Sequence, residues 1–368
     1  MRRIIAQTRK ELTQIVRDWR TMMLALILPL ILLILLGSAI SLSVTDMPIV
    51  VQDLDDSPSS HKLIDAFRAS LTLRVVSWPT DRQPEKALSS SKARAALIIP
   101  AHFEQNLKRG VDAPVQLIVD AADANTARLT AGDASQIVAA YSRVTNPNAP
   151  QPPVRAAIRL WYNPDRSSKK FYGPGIFVLA LSIFPPLLAA LAMAKEDDQK
   201  TILQVYVSNI PASEFLLGKV LAFMAVALAE TVVMLVLLFT YFGLSFAGDP
   251  TPFVVATILY AFCVASFGTM IGATISNQAA AMQAVALGGF LFVFLLSGLL
   301  YPIENIPSSI RWLSHLVWGR YYIEIVRDAF LQGGGWPAVW YKTLIIAVIG
   351  IVFYFLAWLS KRRMQVRA

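Results

Sequence analysis

The sequence carries fragments of several reactive sites and completes none of them. Gly218 and Lys219 stand together as in a phosphate-binding loop, but Val220 occupies the place that needs Ser or Thr, and no glycine precedes at the required offset. ATP hydrolysis by this chain alone is therefore not expected. His61, His102 and His315 are far apart in the chain, and none has a His or Cys at metal-ligand spacing. No Gly-x-Ser-x-Gly elbow occurs. "DLDDSPSSHKLI", from Asp53, opens like a calcium loop, but Pro58 replaces the required Gly and Ile64 the closing Glu. Ser57 as a helix cap, with Pro58 in the first helical position, accounts for the same residues. A site assembled inside a membrane from distant residues stays open as a class.

Glu230, in "ALAETVVML", is the one carboxylate well inside an apolar run. An ionised group near the middle of a bilayer costs on the order of 3 kcal/mol, which favours a position facing protein or water. Two kinds of reading fit: contact with a cargo or a proton along a substrate path, or a structural place, with a hydrogen bond to a neighbouring helix or a span end nearer the interface.

The elements that position these residues follow from composition. The 368 residues are 55% hydrophobic and 15% charged, and mean hydropathy is +0.53. A soluble chain has about a quarter charged residues, so this is a membrane protein. A bilayer core needs roughly 20 apolar residues per helix, and six runs qualify: 22–42, 173–194, 216–244, 253–275, 282–302 and 341–360. Pro29 in the first and Pro185 and Pro186 in the second are expected to kink their helices, as hinges or simply as packing features. Cys263 is the sole cysteine, so no intrachain disulfide forms.

The net charge of +9 is concentrated beside apolar spans, as membrane topology alone produces, and nucleic acid is not expected as a partner. Arg2, Arg3, Arg9, Lys10, Arg17 and Arg20 precede the first span, and Lys361, Arg362, Arg363 and Arg367 follow the last. The positive-inside rule then places both termini in the cytoplasm, which an even number of spans allows. Residues 1–21 read as an amphipathic helix along the inner surface, with Ile4, Ile5, Thr8, Leu12, Ile15, Val16 and Trp19 on one side and Arg9, Lys10, Glu11, Thr13, Arg17 and Arg20 largely on the other. That lead favours an uncleaved span over a signal peptide, although Gly37, Ala39 and Ser41 offer cleavage-like small residues.

Residues 43–172 then lie outside the cytoplasm. "PIVVQ", "LRVVSW", "RAALIIP" and "PVQLIV" read as strands between the helix-like "SPSSHKLIDAFRAS" and "DANTARLTAGDASQIVAAYSRV", which predicts a small α/β domain. "TNPNAPQPPV" is its linker back to the membrane. Residues 303–335 are too charged to cross, yet Ile310, Leu313, Val317, Tyr321, Ile325 and Val326 suggest short amphipathic helices at the outer surface or dipping partway in, ended by Gly333 to Gly335. The expected class is thus an α-helical membrane protein: an N-terminal interfacial helix (1–21), a first transmembrane helix (22–42), an inserted extracytoplasmic α/β domain (43–172) and five further transmembrane helices (173–368).

Between spans two and three, residues 195–217 face the cytoplasm. Lys195, Glu196, Asp197, Asp198 and Lys200 open this segment, and Ile202, Leu203, Val205, Tyr206 and Val207 form an apolar stripe. Pro211 breaks the helix, and Ser213 is expected to cap the next, with Glu214 in its first turn. Such a helix reads as a docking element, because a plain connector would expose the stripe without reason.

"AKEDDQKTILQVYVSNIPASEFLLGKV" resembles the intracellular coupling loop of ABC-2 type exporter permeases. "LSGLLYPIENIPSSIRWLSHLVWGRYYIEIVRDAFLQGG" is similar to that family's segment between spans five and six. "IVVQDLDDSPSS" and "LWYNP" resemble its large extracytoplasmic domain in multidrug-efflux-like members, and "RKELTQIVRDWRTM" its N-terminal connecting helix. One departure is the run Asp197, Asp198, Lys200 where the family commonly has a basic residue and a Gly around the carboxylate before Thr. The resemblance implies that Glu196, Thr201, Gln204 and Glu214 contact an ATPase or hold the loop in place, and that Asp198 and Val205 belong to the same coupling face.

It further implies a dimer of permease chains, homodimeric or with a sister chain, in a bacterial inner membrane. Two ABC ATPase subunits would bind the ATP and Mg, and no cofactor would bind this chain. A periplasmic adaptor is a further implied partner. Export of drug-like amphipathic molecules is the first functional reading. Lipid or glycan export is the second, and a membrane receptor or scaffold is the third.

Overall fold

The computed structural model describes residues 2–39, 46–79, 82–90, 92–120, 124–145, 167–201, 210–300 and 302–362. The linker from Asn146 through "LWYNP", the stripe Ile202 to Val207 with Gln204 and Val205, and Arg363 and Arg367 lie outside the described residues. The chain divides into two compact units, Leu42–Arg159 and the combination of Met1–Ser41 with Leu160–Ala368.

The smaller unit is an α/β sandwich of one sheet and its crossover helices. Strands β1 (Met47–Asp53), β2 (Leu73–Val76), β3 (Ala95–Ile99) and β4 (Gln116–Val119) pair in the order β2-β1-β3-β4. β1 is parallel to both neighbours, with Ile49 opposite Val75 on one side and Ala95 on the other, and β4 runs antiparallel to β3. Parallel neighbours require crossovers, and α3 (Pro58–Arg68) and α4 (Glu85–Ser89) supply them; α5 (Phe103–Arg109) and α6 (Ala124–Thr145) complete the unit. Ile49, Leu63, Phe67, Leu97, Ile99 and Phe103 form its core.

Its acidic loop has a structural use. Ser57 caps α3, accepting from the Ser60 N–H at 3.1 Å while its own N–H donates to Ser60 Oγ at 3.0 Å, with Pro58 in the first turn. Asp53 Oδ1 accepts from the N–H groups of Asp55 and Asp56, each at 3.1 Å, and the Asp55 carboxylate accepts from Phe103 and Glu104 at the start of α5. His61 Nε2 lies 3.0 Å from Asp56 Oδ1 and 3.9 Å from Asp53 Oδ2. Sequence spacing from other histidines gave no hint of that cluster.

Among the described residues of the larger unit, six helices are long and apolar enough to cross a membrane: α2 (Trp19–Ala39), α7 (Ser168–Asp198), α8 (Ala212–Thr240), α9 (Thr251–Thr274), α10 (Gln278–Leu296) and α12 (Trp336–Lys361). Each begins earlier than its apolar run, because residues such as Trp19, Ser168 and Trp336 occupy the first turn. α1 (Arg2–Arg17) precedes α2, separated from it at Asp18. Ser213 does not cap α8: Pro211, with φ −65° and ψ 144°, stands in the capping position, and no side chain caps that end. The ring of Pro211 starts the helix before Ser213, whose carbonyl accepts from the Tyr354 hydroxyl at 2.9 Å.

Close helix contact depends on small residues. A Cβ on Gly268 of α9 would overlap the backbone of Pro186 in α7, and one on Gly272 would overlap Ala190. Pro186 also removes the donor that would reach the Ser182 carbonyl, and Gly289 of α10 packs directly against that oxygen. α10 widens into a π-type turn over Ala286–Leu291, around this contact.

Within residues 303–335 the second half packs inside the bundle, while Ile310, Trp312 and Leu316 stay exposed. α11 (Trp318–Arg327) buries Trp318, Tyr321, Tyr322, Ile323, Ile325 and Val326 among the spans. The Tyr322 ring stacks on Tyr260 at 3.9 Å, and its hydroxyl pairs with Thr257 at 2.8 Å. Arg327 donates to the carbonyls of Gly298 and Leu299 at 3.0 and 3.4 Å, and Gly333, at φ 72°, ends the segment. Of the arginines in this segment, Arg327 spends its donors on carbonyls at the end of α10, Arg311 on the carbonyls of Glu304 and Ile306, and Arg320 pairs with Glu324.

Overpacking the α7–α9 contact should be costly. Gly268→Val should lower stability by about 1–3 kcal/mol, whereas Gly132→Ala, in open space on α6, should gain up to about 1 kcal/mol. Thermal unfolding of the two variants in one detergent checks both signs.

Candidate functional site

The densest buried charge in the larger unit lies where α1, the end of α7 and the start of α8 meet. Lys219, two turns inside α8, is 0% exposed, and Glu11 of α1 is 2% exposed. Lys219 Nζ donates to Glu11 Oε1 at 2.9 Å and makes an ion pair with Glu196 Oε2 of α7 at 3.1 Å. Lys10 Nζ closes the cluster, donating to Glu196 Oε1 at 2.7 Å and lying 3.5 Å from Glu11 Oε1. Two cations therefore face two carboxylates drawn from three helices. Partial burial alone would lower the Lys10 pKa, but the hydrogen bond and charge of Glu196, followed by those of Glu11, outweigh this and hold it above its ordinary value.

Local sequence explains the fit. Gln7, Glu11 and Ile15, four residues apart on a helix, form the buried row of α1. Gln7 Nε2 donates to Glu11 Oε1 at 2.8 Å, and Thr8 Oγ1 donates to the Gly218 carbonyl at 3.0 Å. Gly218 admits this approach, since a Cβ there would stand 2.7 Å from Gln7. Glu11 was expected on the polar side of α1, away from its packed face. Lys219 draws it inward, while Ile5, Val16 and Trp19 remain exposed.

The next two acids of α7 engage the opposite side of the bundle. Asp197 pairs with Lys361 at the end of α12 and accepts from Ser276 at 3.5 Å. Asp198 accepts from Gln278 Nε2, at the start of α10, at 2.8 Å. The three consecutive carboxylates thus fasten the end of α7 to α1, α8, α10 and α12. Of the coupling residues singled out in the sequence, Glu196 and Asp198 have partners within the chain. Thr201 donates to the Glu196 carbonyl at 3.3 Å. Glu214 is half-buried in the first turn of α8, and its Oε2 has no hydrogen bond among the described residues.

Glu230 stands apart from this cluster, in the middle of α8. It is 1% exposed, and neither carboxylate oxygen has a hydrogen bond among the described residues. Sequence reasoning missed Lys219, Lys10 and Glu11 as a site. One signal was available: a lysine two turns inside an apolar helix needs a counter-ion.

An ion cluster buried where apolar spans meet a polar end helix, on a bundle of six such spans, is the construction of a multi-pass membrane protein. A profile of the ABC-2 family transporter protein matches residues 19–359, and the chain belongs to that family. It is 28% identical over 358 residues to the probable multidrug ABC transporter permease YbhR of Escherichia coli (strain K12), covering 94% of this chain and 95% of that protein. The probable multidrug ABC transporter permease YbhS of the same organism is 25% identical over 367 residues, 98% and 97% of the two chains. The inner membrane transport permease YhhJ, also of that strain, is 22% identical over 325 residues, 86% and 85% of the two chains.

Removing one member of the cluster should leave uncompensated buried charge. Lys219→Met should destabilise by about 3–5 kcal/mol, and adding Glu11→Gln to it should recover part of that loss. A double-mutant cycle by thermal unfolding reads the coupling directly.

Proposed function

We propose that this chain is the transmembrane subunit of an ATP-driven exporter of amphipathic small molecules in a bacterial inner membrane, with both termini cytoplasmic. Two permease chains, identical or sister, join two separate ATPase subunits that bind ATP and Mg. The α/β unit lies on the far side of the membrane, where it restricts exit or meets an adaptor. The relatives' names, probable multidrug permeases, support the cargo class.

The observation that carries the reading is the ion cluster on Lys219. A subunit driven from outside must transmit force from a docking segment to its spans without dissipating it in side-chain slack. Glu196, at the start of the coupling segment, is clamped between Lys219 of α8 and Lys10 of α1, so the end of α7, the end helix and α8 move as one body. Residues 195–217 then receive the ATPase, with Thr201, Gln204, Val205 and Glu214 on the docking side and Glu196 and Asp198 holding the segment in place. Glu230 lines the cargo path from its buried position in α8.

Capture of the ATPase on the purified chain, combined with dye efflux from intact cells, tests this. Lys219→Met should retain ATPase capture yet lose about tenfold in efflux, a coupling loss near 1.4 kcal/mol. A chain that captures no ATPase would favour the receptor or scaffold reading. Glu230→Gln, at equal expression, should lower efflux, and unchanged efflux would remove Glu230 from the cargo path.

A further inference from the structure

A cavity of about 890 Å³ opens beside the ion cluster, between α1, the first turn of α2 and the end of α7. One wall is apolar, built from Ile15, Leu188, Leu191 and Phe223. The other carries charge, and the pairings decide its sign. Glu11 and Glu196 also line the cavity, but both are taken up by Lys219 and Lys10. Arg17, Lys195 and Asp18 are left at the rim.

Asp18 is already engaged, accepting from the Thr21 hydroxyl at 2.7 Å and the Arg20 N–H at 3.1 Å. Those bonds, Thr21 first, and to a small degree the nearby Lys195 charge hold its carboxyl below the ordinary value. Arg17 makes no ion pair among the described residues and is exposed, as is Lys195. The rim therefore has a cationic surplus over an apolar wall.

Depth supports one kind of occupant. The cavity sits where polar α1 gives way to apolar α2, and Trp19, 64% exposed with the Arg20 guanidinium 6.0 Å from its ring centre, marks the headgroup level there. Its volume lies in the range that holds a drug-sized molecule, far more than a free phosphate ion fills.

We propose that this cavity binds an anionic phospholipid of the adjoining leaflet, its phosphodiester between Arg17 and Lys195 and the start of an acyl chain along Leu188, Leu191 and Phe223. The bound lipid bridges α1 and α7, the same helices that Lys10 and Glu196 join. This inference rests on the cavity and its charges, not on the export reading, and its test needs neither ATPase nor cargo.

Native mass spectrometry of the full-length chain, delipidated in detergent and titrated with phosphatidylglycerol, reads occupancy. Parallel titrations use phosphatidylcholine and inorganic phosphate. The wild type should hold phosphatidylglycerol in preference to both, and the Arg17→Ala/Lys195→Ala double variant should bind it about 30-fold more weakly, from two surface cations lost. Leu191→Trp, which fills the apolar wall and leaves the charges alone, should also weaken lipid binding while leaving the response to phosphate unchanged. A cooperative thermal unfolding transition without added lipid confirms that each variant is folded.

Equal lipid retention in the folded double variant overturns the proposal. So does inorganic phosphate competing as well as the lipid, because the acyl chain would then have no role.

Discussion

The larger unit depends on one constraint: a lysine ammonium removed from water must be met by carboxylates that are themselves held in place. Lys219 is buried two turns inside an apolar helix, and its neighbours are arranged to satisfy it. Glu11 leaves the solvent side of α1 for it, Gln7 fixes Glu11, and Gly218 keeps its Cβ position empty so that α1 can come close. An isolated ion pair in such a place is weak evidence of stability, since desolvation offsets much of the attraction. Its more secure consequence is geometric, because three helices have only one arrangement in which both carboxylates are satisfied.

The remainder of the bundle follows the same logic with different groups. Asp197 and Asp198 fasten α7 to α12 and α10, as Glu196 does to α1 and α8. Deeper in, where charge would be expensive, the fastening groups are hydroxyls and glycines: Tyr260 against Ser182, Tyr322 against Thr257, Gly268 against Pro186. The end of α7 is thus held by ion pairs and leads into spans joined by close backbone contact. That division suits a permease that receives its energy from another subunit.

Much of the architecture was legible in the sequence, because it is written in local periodicity. The strands around Ile49, Val75, Leu97 and Leu117 showed as β-branched runs, and Ser57 with Pro58 announced the start of α3. The spans showed as apolar length. The ion cluster was not legible, because Lys219 and Glu11 are 208 residues apart and no periodicity links them. The depth of α11 stayed open between the outer surface and a position partway in, since a sequence cannot show that Arg327 spends its donors on the carbonyls of Gly298 and Leu299. Ser213 was misplaced for a smaller reason: Pro211 sets the helix start by its ring, without any capping side chain.

The central claim is that Lys219 docks α1 onto the bundle, and amide hydrogen exchange along α1 in the full-length protein tests it most directly. The account predicts that α1 amides are protected in the wild type and lose that protection in Lys219→Met, while those of α12 are unchanged. Equal protection of α1 with and without the lysine would contradict it.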